Sequence, residues 1–116
     1  MDLTVLKWLD KTAVSFADKT VFSDKENTLT FSQLNGYTKA IGTCLAKTVK
    51  PGSPVVVMSG RHVLTPACYL GVVRAGCFYA PMDATMPVAR LNQILGVIKA
   101  GTMLVDREHA DLAKTL

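Results

Sequence analysis

Four consecutive apolar residues, Val55, Val56, Val57 and Met58, stand between Pro51-Gly52 and Ser59-Gly60. A short, mostly β-branched run bounded by turn residues reads as a strand. With no polar face along it, the strand fits burial on both sides, the habit of parallel sheets covered by helices. The pattern recurs twice downstream, at Cys77–Pro81 and at Thr102–Val105.

Helical stripes separate these runs. A helix is expected over about Val63 to Ala75, with Pro66 tolerated only near its first turn and Gly76 ending it in a left-handed cap. Pro87 suits the start of the next helix, whose apolar face is Leu91, Ile94, Leu95 and Ile98, with Gly101 closing it. After Asp106 a further helix begins near Ala110. Strand, helix, strand, helix, strand with short Gly/Pro joints makes two successive βαβ units, and right-handed parallel crossovers are the expected arrangement. The fold class is α/β, part of a parallel sheet flanked by helices.

The segment before these units has its own pattern. Leu6, Leu9, Ala13 and Phe16 form the stripe of an amphipathic helix, with Asp2 or Thr4 available to cap its start. Val21–Ser23 and Thr28–Phe31 read as a small β-hairpin around the polar turn Asp24-Lys25-Glu26-Asn27. Ser32 is the expected N-cap of a second helix carrying Leu34, Tyr37, Ile41 and Leu45. Gly36 and Gly42 lie inside that helix, and each lowers its intrinsic stability by about 1 kcal/mol relative to alanine. Close packing by a neighbouring element is the expected reason for them.

The chain has 116 residues, 49% of them hydrophobic and 19% charged. That is enough apolar material for a core, and it excludes intrinsic disorder. Gly shows no strict period and no long heptad run appears, which excludes collagen-like and coiled-coil classes. The net charge of +4 is divided evenly between residues 1–58 and 59–116, so no basic cluster of the kind that binds nucleic acid is present. The uncharged stretch from His62 to Val73 contains Pro66 and is shorter than the roughly 20 residues a membrane span needs. Three widely spaced cysteines, Cys44, Cys68 and Cys77, sit in apolar surroundings and read as small buried hydrophobes in a reducing, cytoplasmic compartment. No signal-peptide core precedes them.

Neither phosphate-binding fingerprint, G-x-G-x-x-G or G-x-x-x-x-G-K-[ST], occurs, and there is no G-x-S-x-G nucleophile elbow. His62 and His109 lie far apart in the chain without partners at metal-ligand spacing. His109 beside Glu108 reads as an exposed polar pair, and His62 falls in the turn before a helix. Cys68 and Cys77 have no neighbouring base in sequence and read as packing residues. Three isolated polar residues remain. Asp83 and Asp106 each follow a strand, where open α/β sheets place their sites. Both also suit helix starts, as caps or as charges complementing the dipole. Arg90, one turn into its helix, is positioned to reach back to Asp83.

Two segments resemble a known family. LTFSQL at 29–34 is similar to the Leu-Thr-Tyr-x-Glu-Leu element near the start of adenylate-forming enzymes. LGVVRAGCFYAPMDATMPVARL at 70–91 resembles the family's second element, with the expected spacing between the two. The matching positions are Leu29, Thr30, Leu34, Ala75, Gly76, Tyr79, Pro81, Asp83, Pro87 and Arg90. Phe31, Gln33, Arg74, Ala84 and Met86 depart from the pattern. Tyr79 and Asp83 tilt the likeness toward the amino-acid-activating branch, that of nonribosomal peptide synthetase adenylation domains and D-alanine–carrier protein ligases.

The resemblance implies an ATP- and Mg²⁺-dependent ligase. A carboxylate attacks the α-phosphate of ATP to give an acyl-adenylate and pyrophosphate, and a thiol of a carrier-protein phosphopantetheine or of CoA then takes the acyl group. It further implies that residues 1–116 are the first part of the N-terminal subdomain of an adenylation domain. The family's phosphate loop, ribose-binding Asp and catalytic Lys have no counterpart in these residues. No catalytic, cofactor-binding or metal residue is therefore assigned, and the chain alone is expected to be inactive and to bind no cofactor. An apolar edge meant for absent strands should make it associate with itself or with the remaining subdomains. The alternatives are an acyl-CoA synthetase of the same family and a stand-alone, non-catalytic α/β binding module.

Overall fold

The computed structural model describes residues 5–25, 27–60 and 63–116. The elements in chain order are α1 (Val5–Ser15), β1 (Thr20–Ser23), β2 (Thr28–Thr30), α2 (Phe31–Ala46), β3 (Pro54–Met58) and α3 (Thr65–Arg74). They continue with β4 (Phe78–Pro81), α4 (Val88–Ile98), β5 (Met103–Val105), a 3₁₀ turn (Arg107–His109) and α5 (Ala110–Lys114). β1 and β2 form an antiparallel hairpin, and β3 pairs in parallel with both β4 and β5, giving the order β4-β3-β5. The expected α/β class, the parallel sheet and the N-terminal hairpin are all present. No helix among the described residues is long and apolar enough to cross a membrane.

The apolar run at 55–58 becomes the centre of the sheet because both its faces are covered. Val55 and Val57 pack against Leu45, Val72 and Ala75 on the side of α2 and α3. Val56 and Met58 pack against Leu91 and Met82 on the side of α4, joined by Ile94, Leu95 and Ile98. A third cluster, Leu9, Leu29, Leu34, Val63 and Ala67, ties α1 and the hairpin to α2 and α3. β5, expected to be fully buried, is only half-buried, because it is an edge strand with β3 on one side.

Helix α2 starts two residues earlier than expected. Its N-cap is Thr30, not Ser32: the Gln33 N–H donates to Thr30 Oγ1 at 3.2 Å, and the Thr30 N–H donates to Gln33 Oε1 at 2.9 Å. This reciprocal capping box satisfies two backbone donors that the helix itself leaves unpaired. The Thr and the Glu-or-Gln of the 29–34 element thus have a local structural reason for their spacing. Asp2 and Thr4, the expected caps of α1, lie outside the described residues, as does Glu26 of the hairpin turn.

The buried face of α2 also differs from the apolar stripe. Leu34, Thr38, Gly42 and Leu45 are buried, while Tyr37 is exposed and Ile41 half-buried. Thr38 and Gly42 are polar or small, so hydropathy does not mark them. Gly42 is required by close approach: a Cβ there would stand 2.9 Å from Arg74 Cβ and 3.2 Å from the Gly71 carbonyl oxygen. Gly71 on α3 is crowded in turn, with Ile41 side-chain atoms 2.5 and 2.6 Å from any added Cβ. The two glycines let α2 and α3 cross almost backbone to backbone. Gly36 has open space around it, so close packing does not account for that residue. On α1, Leu9 and Ala13 are buried as expected but Phe16, just past the helix, is exposed, with the Lys19 ammonium above its ring.

Helix ends follow mixed rules. Gly76 adopts φ +76°, the left-handed conformation expected after α3. α4 opens at Pro87 as expected but ends at Lys99, itself left-handed at φ 57°, two residues before Gly101.

Candidate functional site

In a parallel sheet all the strands point their carboxyl ends the same way, and the loops leaving them meet at one rim. Here that rim carries Ser59 and Gly60 after β3, Asp83 after β4, and Asp106 to His109 after β5. Asp106 is its organising residue. Its Oδ2 accepts the Gly60 N–H at 2.9 Å, across 46 residues of sequence, and its Oδ1 accepts the His109 N–H at 3.1 Å. The His109 ring Nδ1 also lies against Asp106 Oδ1. Partial burial alone would raise the Asp106 carboxyl. The Gly60 amide and then the His109 ring and amide outweigh that effect and hold it below the ordinary carboxylate range.

The loop after β3 is held at its other polar group as well. Thr65 Oγ1 donates to the Gly60 carbonyl at 2.9 Å and shares a hydrogen bond of 3.0 Å with Ser59 Oγ. Gly60 is therefore clamped at both N–H and C=O by side chains of β5's exit and of α3. Arg61 and His62, which follow it, lie outside the described residues.

Asp83 does something local. Its Oδ1 accepts from the Thr85 N–H at 2.9 Å and from the Thr85 hydroxyl at 2.7 Å, an Asx-type turn leading toward α4. Those bonds, the hydroxyl's first, lower its pKa from the ordinary value. The expected reach of Arg90 to Asp83 is not made. Arg90 Nη1 turns along its own helix to Gln93 Oε1 at 3.4 Å, because Thr85 already satisfies the carboxylate from within the turn.

The reading of Asp106 as a cap holds, whereas Asp83 closes its own turn through Thr85 and α4 is entered at Pro87 with no side-chain cap. The pairing of Asp106 with the His109 ring was not foreseen. Asp-x-x-His has the spacing of an N-cap and its third helical residue, a signal that was available in the sequence. His109 is accordingly half-buried beside Asp106, not an exposed partner of Glu108.

The cysteines divide. Cys77 is buried, with its thiol toward the Lys50 carbonyl oxygen at 3.4 Å. Cys68 is half-buried, and burial followed by the Asp106 charge pushes its thiol pKa up, away from nucleophilic duty. Cys44 is exposed, contrary to the expectation that all three are packed inside, because it lies on the outer face of α2.

A second polar centre lies away from the rim. Arg74 at the end of α3 donates from Nε to Thr38 Oγ1 at 2.8 Å, and from Nη2 to Asp10 Oδ1 at 2.8 Å and Asn35 Oδ1 at 2.6 Å. It joins α1, α2 and α3, and its hydrogen bond and charge hold Asp10 below the ordinary carboxylate range. Thr38, fully buried, is satisfied by this contact and by its own bond to the Asn35 carbonyl at 2.8 Å. This is a bracing network between helices, with no open position at its centre.

The rim's chemistry is that of carboxylates already engaged by backbone donors. The N–H groups of Gly60, Thr85 and His109 all point at aspartate oxygens. A phosphate needs such donors free, or cationic side chains near them.

Comparison with known proteins gives one consistent pattern. The model of the AMP-binding enzyme family matches residues 9–116. The hybrid PKS-NRPS synthetase apdA of Emericella nidulans is 31% identical over 114 residues, which is 97% of this chain and 3% of that protein. The crystal structure of the nonribosomal peptide synthetase FmoA3, bound to α-methyl-L-serine-AMP, superposes with a TM-score of 0.88 at 25% identity, covering 94% of this chain and 12% of that one. The fatty acid AMP ligase of Legionella pneumophila superposes with a TM-score of 0.80, also at 25% identity, over 90% of this chain and 20% of that one. The chain thus spans a small part of the length of the proteins it matches.

Proposed function

Matched along residues 9–116, the chain belongs to the AMP-binding, adenylate-forming enzyme family, and we propose that it is the first part of the N-terminal subdomain of an adenylation domain. In this reading its role is architectural. It supplies three parallel strands and their covering helices, onto which the remaining subdomains assemble. The complete enzyme activates an amino acid or a related carboxylate with ATP and Mg²⁺ as an acyl-adenylate and passes it to a carrier thiol.

The observation that carries this reading is the superposition of 94% of the chain on a nonribosomal peptide synthetase. The Tyr79, Pro81 and Asp83 pattern supports the amino-acid branch. Tyr79 stacks on Tyr69 with ring centroids 4.5 Å apart, which ties the β4 edge to α3. The equal identity to a fatty acid AMP ligase supports a second reading, activation of a fatty acyl group by the same chemistry.

The engagement of the Gly60, Thr85 and His109 N–H groups by aspartate oxygens, together with the missing phosphate loop, supports placing the ATP- and Mg²⁺-binding groups outside these residues. Phosphoryl chemistry of this kind depends on positioned charge around the reacting phosphate. The rim described above is committed to holding its own loops.

The test is ATP–pyrophosphate exchange. The 116-residue chain alone is expected to give no carboxylate-dependent exchange. The chain joined to the remaining adenylation subdomains is expected to exchange with an amino acid. Robust exchange by the chain alone, or none by the joined protein with any amino or fatty acid, sinks the reading. Exchange with fatty acids only selects the second branch.

A further inference from the structure

We propose that the sheet grows at the β5 edge and not at β4, by one parallel strand supplied by the rest of the adenylation domain. The inference rests on the reading of the chain as the first part of such a domain. Two independent observations select the edge.

The first is main-chain hydrogen bonding. In a parallel ladder the N–H and C=O of one residue turn to the same side, and successive residues turn to opposite sides. Val56 N–H donates to the Thr102 carbonyl at 3.1 Å, so Thr102 and Leu104 face β3 while Met103 and Val105 face outward. The N–H and C=O groups of Met103 and Val105 have no main-chain partner among the described residues. On β4, Phe78 N–H donates to the Ser53 carbonyl at 3.2 Å and Met82 N–H to the Val57 carbonyl at 2.9 Å. Cys77, Tyr79 and Pro81 therefore face outward there. Pro81 has no N–H, and the Cys77 N–H already donates to the Val72 carbonyl at 3.2 Å, which leaves Tyr79 as the one open donor of the three. A proline thus blunts the β4 edge, whereas Thr102 to Val105 carry neither proline nor charge.

The second is the hand of the crossovers. α3 lies on the Val55 and Val57 face of the sheet and carries the chain from β3 to β4. α4 lies on the Val56 and Met58 face and carries it the other way, from β4 past β3 to β5. Opposite faces and opposite directions give both crossovers one hand, the right-handed one of βαβ units. α5 sets Leu112 and Ala113 on the Val56 and Met58 face as well. A crossover of the same hand through α5 moves further in the β4-to-β5 direction and delivers its strand beside β5, parallel to it. That strand is extended, uncharged and apolar on both sides. It has to continue the half-buried Leu104 on one face and the half-buried Met103 and Val105 on the other.

The test is amide hydrogen exchange read by NMR, in the 116-residue chain and in the chain joined to the remaining adenylation subdomains. In the chain alone, Leu104 is expected to be protected and Met103 and Val105 to exchange freely at every protein concentration. In the joined protein, exchange at Met103 and Val105 is expected to slow by about 10-fold or more. Val105→Pro removes an N–H that β3 does not use. In the joined protein it is expected to speed exchange at Met103 by about 10-fold or more while Leu104 stays slow, which shows that the β3–β5 ladder is intact. Unchanged exchange at Met103 and Val105 on joining, or new protection at Tyr79 without them, overturns the proposal. So does protection of Met103 and Val105 that rises with the concentration of the chain alone, since a second copy would then be the occupant. The two readings fail separately: a joined protein without ATP–pyrophosphate exchange counts against the function, and one that exchanges with Met103 and Val105 still open counts against this edge.

Discussion

Strands β3 and β4 are neighbours in one sheet and both apolar in sequence, yet they end in opposite environments. Val55 to Met58 of β3 are at most 1% exposed, while Phe78 and Tyr79 of β4 are 55% and 43% exposed. β3 has a parallel partner on each side and helices above and below. β4 has β3 on one side only, and helix α3 reaches just its Tyr79 face, through Tyr69. An apolar strand therefore does not by itself announce a finished core. Where it is buried it stabilises the fold, and where it is exposed its apolar side chains stay open to solvent.

The sharpest way to break the comparison is to truncate each strand. Met58→Ala removes a fully buried side chain between Val56 and Leu91, and a loss of about 2–5 kcal/mol is expected in urea denaturation. Phe78→Ser should change stability by only about 0.5 kcal/mol, as for exposed positions generally. Its expected effect is instead on association: sedimentation equilibrium should show weaker self-association than the unsubstituted chain. A Phe78→Ser chain as unstable as Met58→Ala would mean that β4 is part of the core after all.

The crossing of α2 and α3 gives the next effect. Gly71→Ala places a methyl into Ile41, and overpacking of that kind costs about 1–3 kcal/mol, again read by denaturation. Arg74→Met should cost a similar amount, about 1–3 kcal/mol, because the buried Thr38 hydroxyl loses a donor. Neither substitution touches β4, so neither should alter association through its edge.

The smallest effect is pH-dependent and belongs to the rim. The folded pKa of Asp106 is depressed, so its stabilising contribution is fully present above the unfolded value of about 3.9. It is lost as pH falls through the lower folded value. The melting temperature of the unsubstituted chain should therefore fall more steeply below about pH 4 than that of Asp106→Asn. Parallel curves for the two chains would show that the Gly60 and His109 contacts add nothing in solution.

Much of this was legible because local rules and burial agreed. The strands at 55–58, 77–81 and 102–105 were marked by β-branched and apolar runs between turn residues, and α4 by its four-residue apolar face. The α2 start differs by two residues because two hydroxyl residues, Thr30 and Ser32, compete for one cap. The Gln33 side chain decided for Thr30 by returning the bond. The buried face of α2 was misread for another reason: Thr38 and Gly42 are chosen by Arg74 and Gly71 on α3, and no pattern within α2 carries that information.

The candidate site divides the same way. The placement of Asp83 and Asp106 after strands was readable, since strand ends are readable. Arg90 was expected at Asp83 by spacing along the chain, and Thr85 took that position because a turn satisfies its own carboxylate first. The Asp106 bond to Gly60 crosses between two loops, and only the folding of β3 beside β5 brings them within reach.

By itself, the sequence determined which segments are strands and helices, that the three strands of the sheet are parallel, and which enzyme family the chain resembles. The elements are local or repeat at fixed spacings, so composition and periodicity carry them, while the likeness rests on the residues at 29–34 and 70–91. The tertiary structure alone decided the order β4-β3-β5, and with it which apolar strand is hidden and which is left open. It also decided that Arg74 braces three helices and that Asp106 holds two loops. Strand order and long-range polar bonds depend on which distant segments meet, and that choice is made by packing.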